Sequence, residues 1–450
     1  MLESGALAPS IRPQSMPPAG LSQPAPEALE YPLPAGMRDL LPQEADQEAR
    51  VSRRVMDQFE LCGYQRVSVP AFELAGVMER WLGPAEASAM LRFVDPETGE
   101  VVALRPDMTP QVARLVATRL RAAPSPVRLC YQGSVLRRRH ERSRRRRQIQ
   151  QLGVELIGVE AVAGDLEVLE TATSAVRAAG LVDFTLDIGH AAIATSLIEG
   201  LAAERRASLV EALTLKDTTK VAELAKLSGA APAIQKALAA LPELHGTEDV
   251  WPRATSLFQG TPAEAPAALL REIWDWAKAA KIASTLMVDL GELRKLDYYT
   301  GMTFQILAHG PGEAVGSGGR YDRLFEQFGA ARPAAGFAID LGNLCWALND
   351  ARQPGAARKR ILVTGGAAAF ALEVCQQLRN QGVASAASAT SNVAEYATAW
   401  RYDAVLELGG QQNKAQLQLL PAAKVVSGEA NTAAAVVAWV IKALGAPGNG

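Results

Sequence analysis

The chain has 450 residues, 46 Lys and Arg against 48 Asp and Glu, a formal net charge of −2, and 48% hydrophobic residues. That size and apolar share allow roughly three domains of ~150 residues and exclude a wholly disordered chain. The charge balance excludes a globally basic, tail-driven nucleic-acid binder. Cys62, Cys130, Cys345 and Cys375 lie far apart with no Cys-x-x-Cys pair. Neither a zinc site nor a disulfide framework is indicated, and the reading is of indifferent thiols in a reducing compartment. No run approaches ~20 apolar residues, so no membrane span is expected. The first residues lack a basic-then-apolar signal. A soluble, cytoplasmic protein is expected.

The average hides two local extremes. Nine of the 26 prolines fall in residues 1–42. Residues 1–30 therefore read as a disordered, Pro-rich leader, with a transit peptide as the alternative. An ordered body is expected over 31–350. Its first helix begins near Gln43, because Pro42 suits the first turn and Glu44, Asp46 and Glu48 favour the positive end of the dipole. Val51, Val55 and Phe59 then give one buried stripe, and Gly63 stops it. Tyr64 to Val69 alternates as a strand ended by Pro70. Residues 91–104 read as a hairpin around Asp95 to Gly99, and Thr109 to Arg121 as a helix. Val127 to Gln132, Ser134 to Arg138 and Gln148 to Ile157 read as three antiparallel strands. A helix over 165–179 and a strand from Phe184 to Ile188 follow.

Residues 191–282 turn Ala/Leu-rich with helical spacing, so a helical insertion is expected. Strands return at Thr285 to Leu290 and Met302 to Ala308. Gly316 to Arg320 leads into a helix at Tyr321 to Phe328, a strand at Ala334 to Ile339 and a helix at Leu341 to Asp350. Residues 351–359 read as a linker. Strand and helix alternate beyond it, giving a small α/β domain over 360–450. The body itself is α+β, an antiparallel sheet with flanking helices.

The second extreme is Arg137 to Arg147, where eight of eleven positions are arginine, with His140 among the rest. Three readings stay open. The run is a solvated hairpin loop, an anion or acidic-partner surface, or an RNA contact. The last is opposed by the absence of interleaved aromatics. His190, His245 and His309 have no partners at metal spacing, so no metal site is expected.

Five strings, in this order, resemble the histidyl-tRNA synthetases of class II. Gly36 to Asp39 with Pro42, then Gly63 through Pro70 to Glu73, resembles their first motif, the dimer-forming helix and strand. Leu104 to Thr109 resembles their Leu-Arg-Pro-Glu-x-Thr loop, and Gln148 to Glu155 the end of their second motif. Leu296 to Thr300 and Gly318 to Asp322 resemble the two histidine-specific signatures. The resemblance covers about Tyr31 to Asn349. It implies a pocket for free histidine in which Asp107, Thr109 and Gln151 hold the α-amino group. Glu155 and Tyr299 would take the imidazole nitrogens, while Arg294 and Tyr298 complete the carboxylate side and wall, and Arg137 keeps its place in the second motif. A zwitterion with an imidazole needs acceptors, a cation and polar ring partners at once, which these types supply. Asp107 is one methylene shorter than the family's usual Glu, and Lys295 replaces a usual Gly.

The ATP side departs from the synthetases. Arg139 stands where their Glu contacts the adenine amino group, and a cation cannot accept that proton. Their third motif ends Gly-Leu-Glu-Arg, whereas here the run is Asp340 to Asn343. Losing a charge-assisted phosphate contact, ~1.5–3 kcal/mol, while adding an anion removes productive ATP binding. A retained histidine pocket without ATP contacts resembles the regulatory subunits of ATP phosphoribosyltransferase, a paralogous family. The resemblance implies no chemistry of its own and no cofactor. It implies a short-form catalytic subunit as partner, histidine as feedback effector, and a homodimer within a hetero-octamer. Arg144, Arg145, Arg146 and Arg147 are the candidate regulatory or anion-binding loop. The small C-terminal domain resembles a reduced anticodon-binding domain, but its scattered Lys and Arg weigh against tRNA. An active histidyl-tRNA synthetase and a non-catalytic RNA-binding paralogue are the alternatives.

Overall fold

The computed structural model describes residues 33–80, 87, 90–137, 146–293, 299–329, 331–350, 359–388, 390–409, 414–420, 424–429 and 431–445. The leader and nearly all of the 351–359 linker lie outside them. The chain divides into two compact units, Met1–Arg352 and Gln353–Gly450. No helix among the described residues is long and apolar enough to cross a membrane.

The first unit opens with α1 (Pro42–Leu61), which carries Pro42 in its first turn. The amide of Leu41 donates to the Glu44 carboxylate at 3.3 Å, satisfying one orphan N–H of that end. Val51, Val55, Met56 and Phe59 form its buried stripe, each apolar side chain contributing ~1.5–3 kcal/mol. Gly63, at φ +88°, turns the chain out of the helix. Of the strand expected over Tyr64 to Val69, only β1 (Gln65–Arg66) pairs. The carbonyls of Val69 and Pro70 are taken instead by the Arg105 guanidinium, at 3.0 and 2.8 Å.

A small sheet of order β2-β4-β3 follows, from β2 (Phe72–Leu74), β3 (Leu91–Val94) and β4 (Val101–Leu104), with α2 (Ala75–Glu79) between β2 and β3. After α3 (Thr109–Thr118) comes β5 (Val127–Leu136), a single ten-residue strand where the sequence predicts two. Gly133 does not break it, because it stays in the ladder opposite Gln151. Its missing side chain leaves room for Arg105 and Met108, which a Cβ there would meet at 2.5 and 2.9 Å. Next are β6 (Gln148–Ile157), α4 (Ala163–Ala179) and β7 (Thr185–His190). The insertion is built from α5 (Ala191–Ile198), α6 (Ala203–Thr214), α7 (Thr218–Leu227), α8 (Pro232–Ala240), a two-residue β8 (His245–Gly246), α9 (Val250–Phe258) and α10 (Glu264–Ala280).

The body closes with β9 (Thr285–Asp289), β10 (Met302–Leu307), β11 (Gly316–Arg320), β12 (Ala334–Asp340) and α11 (Leu341–Asp350). The glycine-rich run read as a lead-in to a helix is itself β11. Its glycines let the neighbouring backbones close in, since a Cβ at Gly318 would lie 2.3 Å from the Gly336 carbonyl. The helix expected at Tyr321 to Phe328 is a 3-10 helix, Asp322–Phe328, ended by Gly329 at φ +84°. The large sheet runs β1-β5-β6-β12-β11-β10-β7-β9-β8. It is mainly antiparallel, but β1 with β5 and β7 with β9 are parallel pairs.

Strand alternation sorts β6 cleanly between the two faces. Leu152, Val154 and Leu156 enter the core shared with α1 and α4. Ile149 and Ile157 enter the opposite core, with Tyr131 and Val112 of α3. Gln151, Gly153 and Glu155 share that second face, ~7 Å apart from one to the next.

The second unit comprises β13 (Arg360–Gly365), α12 (Ala368–Asn380), β14 (Ala384–Ala387), α13 (Val393–Ala399), β15 (Ala404–Leu408), β16 (Lys414–Leu419), β17 (Lys424–Glu429) and α14 (Ala433–Leu444). Its sheet order is β14-β13-β15-β16-β17, parallel around β13 and antiparallel beyond β15. Val374, Leu378, Val436 and Val440 of its helices pack on Ile361, Val363 and Leu406.

Candidate functional site

Register builds the site. Glu155 on β6 stands opposite Gly336 on β12, Gly336 opposite Gly319 on β11, Gly319 opposite Thr303 on β10, and Thr303 opposite Gly189 on β7. Three glycines in one row across the sheet make a low floor, and larger side chains lie over it. The Tyr299 ring covers Gly319, where a Cβ would be 2.9 Å from two of its carbons. A Cβ at Gly336 would lie 2.3 Å from Glu155 Oε2 and 2.4 Å from the Tyr321 hydroxyl. Those two polar atoms therefore flank one point of the floor. Gly153 plays the same part for Tyr131, whose ring folds across it within 2.5 Å of a notional Cβ.

Tyr131 uses that path to reach Glu155. Its hydroxyl donates to Glu155 Oε1 at 3.0 Å, and the Thr109 hydroxyl sits against both groups. Glu155 is 2% exposed, and its Oε2 meets no hydrogen-bond partner among the described residues. Burial pushes its carboxyl well above the usual carboxylate range, and the neighbouring Asp107 adds to this, while the Thr109 and Tyr131 hydroxyls pull the other way. Burial, with Glu155 and Asp107 close by, likewise pushes the Tyr131 phenol well up. Asp107 is buried at the entry to α3, and its Oδ1 accepts the amide N–H groups of Met108 (2.7 Å) and Thr109 (3.5 Å). Gln151, two strand repeats from Glu155, buries an Oε1 that also meets no partner among the described residues. Unpaired buried acceptors are costly unless a donor arrives, so this end of the face suits a small molecule rich in N–H donors.

The other end of β6 is crowded with charge. Arg137 donates from Nε to the Pro106 carbonyl at 2.8 Å, and its amide donates to the Arg147 carbonyl at 2.9 Å. The Arg147 amide reaches the Gly36 carbonyl at 2.9 Å. Arg146 fills a notch at Gly342, where a Cβ would lie 2.2 Å from its Nη1. It lies beside Asp340, whose carboxyl is raised by burial against the opposing pull of the Asn343 amide and Arg146. Asp340 Oδ1 accepts the Asn343 amide at 3.0 Å, and the Asn343 side chain donates to the Ala314 carbonyl at 3.0 Å. A cavity of about 240 Å³ opens here between α1 and α11, with Arg38, Glu44, Glu48, Arg146 and Trp346 in its wall. Arg38 pairs with Glu44 at 3.2 Å and Glu48 at 3.7 Å.

The structure thus brings Asp107, Thr109, Gln151, Glu155 and Tyr299 to one face, with Arg137, Arg146 and Arg147 at the root of the arginine run. Arg294, Tyr298, Arg144 and Arg145 lie outside the described residues, as does Arg139. Sequence reasoning missed Tyr131 and Tyr321. Tyr321 lies inside a quoted motif and had a signal, whereas Tyr131 carries none until the ladder sets it over Gly153. Among the described residues no group of three or more His, Cys, Asp or Glu is placed to hold a metal ion.

A family model described as histidyl-tRNA synthetase matches residues 36–344. An ATP phosphoribosyltransferase regulatory subunit of Geobacter sulfurreducens is 36% identical over 363 residues, 80% of this chain and 83% of the relative. One from Moorella thermoacetica is 38% identical over 354 residues, 78% and 90% of the two chains. The crystal structure of an ATP phosphoribosyltransferase regulatory subunit/histidyl-tRNA synthetase from Bacillus halodurans superposes with a TM-score of 0.75 at 25% identity, covering 86% of this chain and all of that one.

Proposed function

Because the chain belongs to the family of ATP phosphoribosyltransferase regulatory subunits, we propose that it serves a short-form catalytic subunit of that enzyme as its histidine sensor. It carries no reaction itself. The partner would catalyse the first step of histidine biosynthesis, and free histidine would lie against the side chains that cover the glycine floor. Its ammonium group meets Asp107, Thr109 and the unpaired Gln151 Oε1, and its ring N–H groups meet Glu155 and the Tyr299 phenol. Arg294 and Tyr298 would complete the carboxylate side. Two copies would pair through α1 within a hetero-octamer, with Arg144 to Arg147 offered to an acidic partner or anion.

One observation carries this reading. β6 keeps two buried acceptors without partners among the described residues, Glu155 Oε2 opposite Gly336 and Gln151 Oε1 opposite Asp340, while Asp340 and Asn343 have spent their own polar groups internally. Asn343 stands where synthetases hold the γ-phosphate with Arg, and its amide is committed to Ala314. Histidine can regulate only by binding the active and inactive assemblies unequally, and ~1–3 kcal/mol of coupling is typical. The test mixes the chain with a short catalytic subunit and follows ATP-dependent phosphoribosyl transfer. Activation that histidine reverses is expected. Absence of association, or histidine-dependent ATP–pyrophosphate exchange by the chain alone, would overturn the reading.

A further inference from the structure

Arg320 closes β11 at the far side of the floor and is fully buried. Its Nε donates to Asp165 Oδ1 at 2.8 Å, and its Nη1 donates to Asp322 Oδ1 at 3.0 Å and to the Val159 carbonyl at 3.2 Å. The side chains of Arg320 and Asp165 are each only 3% exposed. Nη2 meets no partner among the described residues. A buried ion pair with an unspent donor is a poor device for stability, since an apolar pair of equal volume often does as well or better. Its geometry suits a different purpose.

Main-chain bonds from the same residue reach the site. The Arg320 carbonyl accepts the Thr300 amide at 2.8 Å and the Thr300 hydroxyl at 3.4 Å. The Thr300 hydroxyl in turn accepts the Asp322 amide at 3.0 Å. The Arg320 stem lies over Gly301, where a Cβ would be 2.9 Å from Arg320 Cδ. One residue earlier, Gly319 carries the Tyr299 ring. Residues 299–301 are therefore registered against Gly319 and Arg320 by a ring contact, two hydrogen bonds and a stem contact.

The other end of the pair belongs to a different layer. Asp165 lies in the first turn of α4, and α4 packs along α1. The Gln58 amide donates to the Ser174 hydroxyl at 3.5 Å, and Arg54 donates to the Ala179 carbonyl at 3.3 Å. A short covalent and hydrogen-bonded path thus joins residues 299–301 to the helix pair.

We infer that Arg320 is a positioning residue: held by Asp165, it sets the Tyr299–Thr300 segment over the floor and ties that segment to α4. This rests on the histidine reading of the site. Asp165→Asn removes the buried one of the two counter-charges on Arg320, and Thr300→Val removes the hydroxyl link with little change of shape. Each full-length variant is mixed with the short catalytic subunit, and histidine affinity is measured by calorimetry beside the rates with and without histidine. Histidine affinity is expected to fall about tenfold or more in both. Wild-type affinity in the folded variants, even with lowered thermal stability, would overturn the inference and leave the histidine reading standing. Should Asp165→Asn not fold, Thr300→Val decides alone. Absence of histidine binding by the wild-type chain would sink the reading, and this inference with it.

Discussion

The two ends of β6 share one strand and one face, yet they treat polar groups in opposite ways. Around Glu155 there are few charges, all buried, and acceptors outnumber the donors that reach them. Around Gln148 there are many charges, and they answer one another: Arg38 with Glu44 and Glu48, Arg146 beside Asp340, and the arginine root with backbone carbonyls. Capacity for a ligand therefore does not follow the number of charges. It follows the number of polar groups that the fold leaves unanswered.

Three variants set the two ends of β6 against each other. The largest effect concerns how the acceptor-rich side keeps groups uncharged. His190, next to Gly189 of the floor row, has its imidazole pushed down to about 4 by burial, with Arg320 adding to the shift. A depressed folded value means stability that is full above 6.5 and lost as the pH falls through 4. The wild-type chain should therefore lose about 3 kcal/mol between pH 7 and pH 4 that a His190→Gln variant does not lose. Asp165, pushed up to about 6 by burial against Arg320, acts in the reverse sense. Its contribution is full below 3.8 and lost as the pH rises through 6, and it cancels between the two proteins. Urea unfolding of both at a series of pH values checks this, and a constant difference would break the claim.

The middle effect is on binding. Glu155→Gln replaces a carboxyl that can ionise against a bound imidazole by an amide that cannot, and histidine affinity should fall about 30-fold, ~2 kcal/mol. Calorimetry reading an unchanged affinity would remove Glu155 from the site. The smallest effect sharpens the contrast from the other end. Gly342→Ala places a methyl where the Arg146 guanidinium lies, and that flexible tip can move aside. Stability should change by less than ~0.5 kcal/mol, and histidine affinity should stay within about twofold. A larger fall in affinity would mean that the two ends are coupled.

Much of the acceptor end could be read from the sequence because its residues sit in short strings. Asp107 and Thr109 are two apart at a helix entry, and Gln151 and Glu155 are four apart on a strand, so local geometry already puts each pair on one side. What those strings could not contain is register. Gly336 and Gly319 matter because β12 lies beside β6 and β11 beside β12, an order set by cores far apart in the chain. Tyr131 is invisible for the same reason, and so is the service of Gly342 to Arg146. The helical character of residues 191–280 was legible because amphipathic spacing is local, whereas the two-residue β8 among those helices was not. β1 was overread because the rival for its carbonyls, Arg105, arrives from a distant loop.

The glycine floor has a consequence for how this protein can drift. A side-chain wall can be reshaped by one substitution at a time, and each step trades one volume for another. A floor made of main chain cannot, since any β-carbon at Gly336 meets the Val154 carbonyl at 2.4 Å and at Gly319 the Met302 carbonyl at 2.5 Å. Inheritance can therefore alter the side chains around this floor freely while the floor itself stays fixed. A saturation scan of the chain should show intolerant columns running across the strands, perpendicular to the sequence, with permissive residues on either side of each.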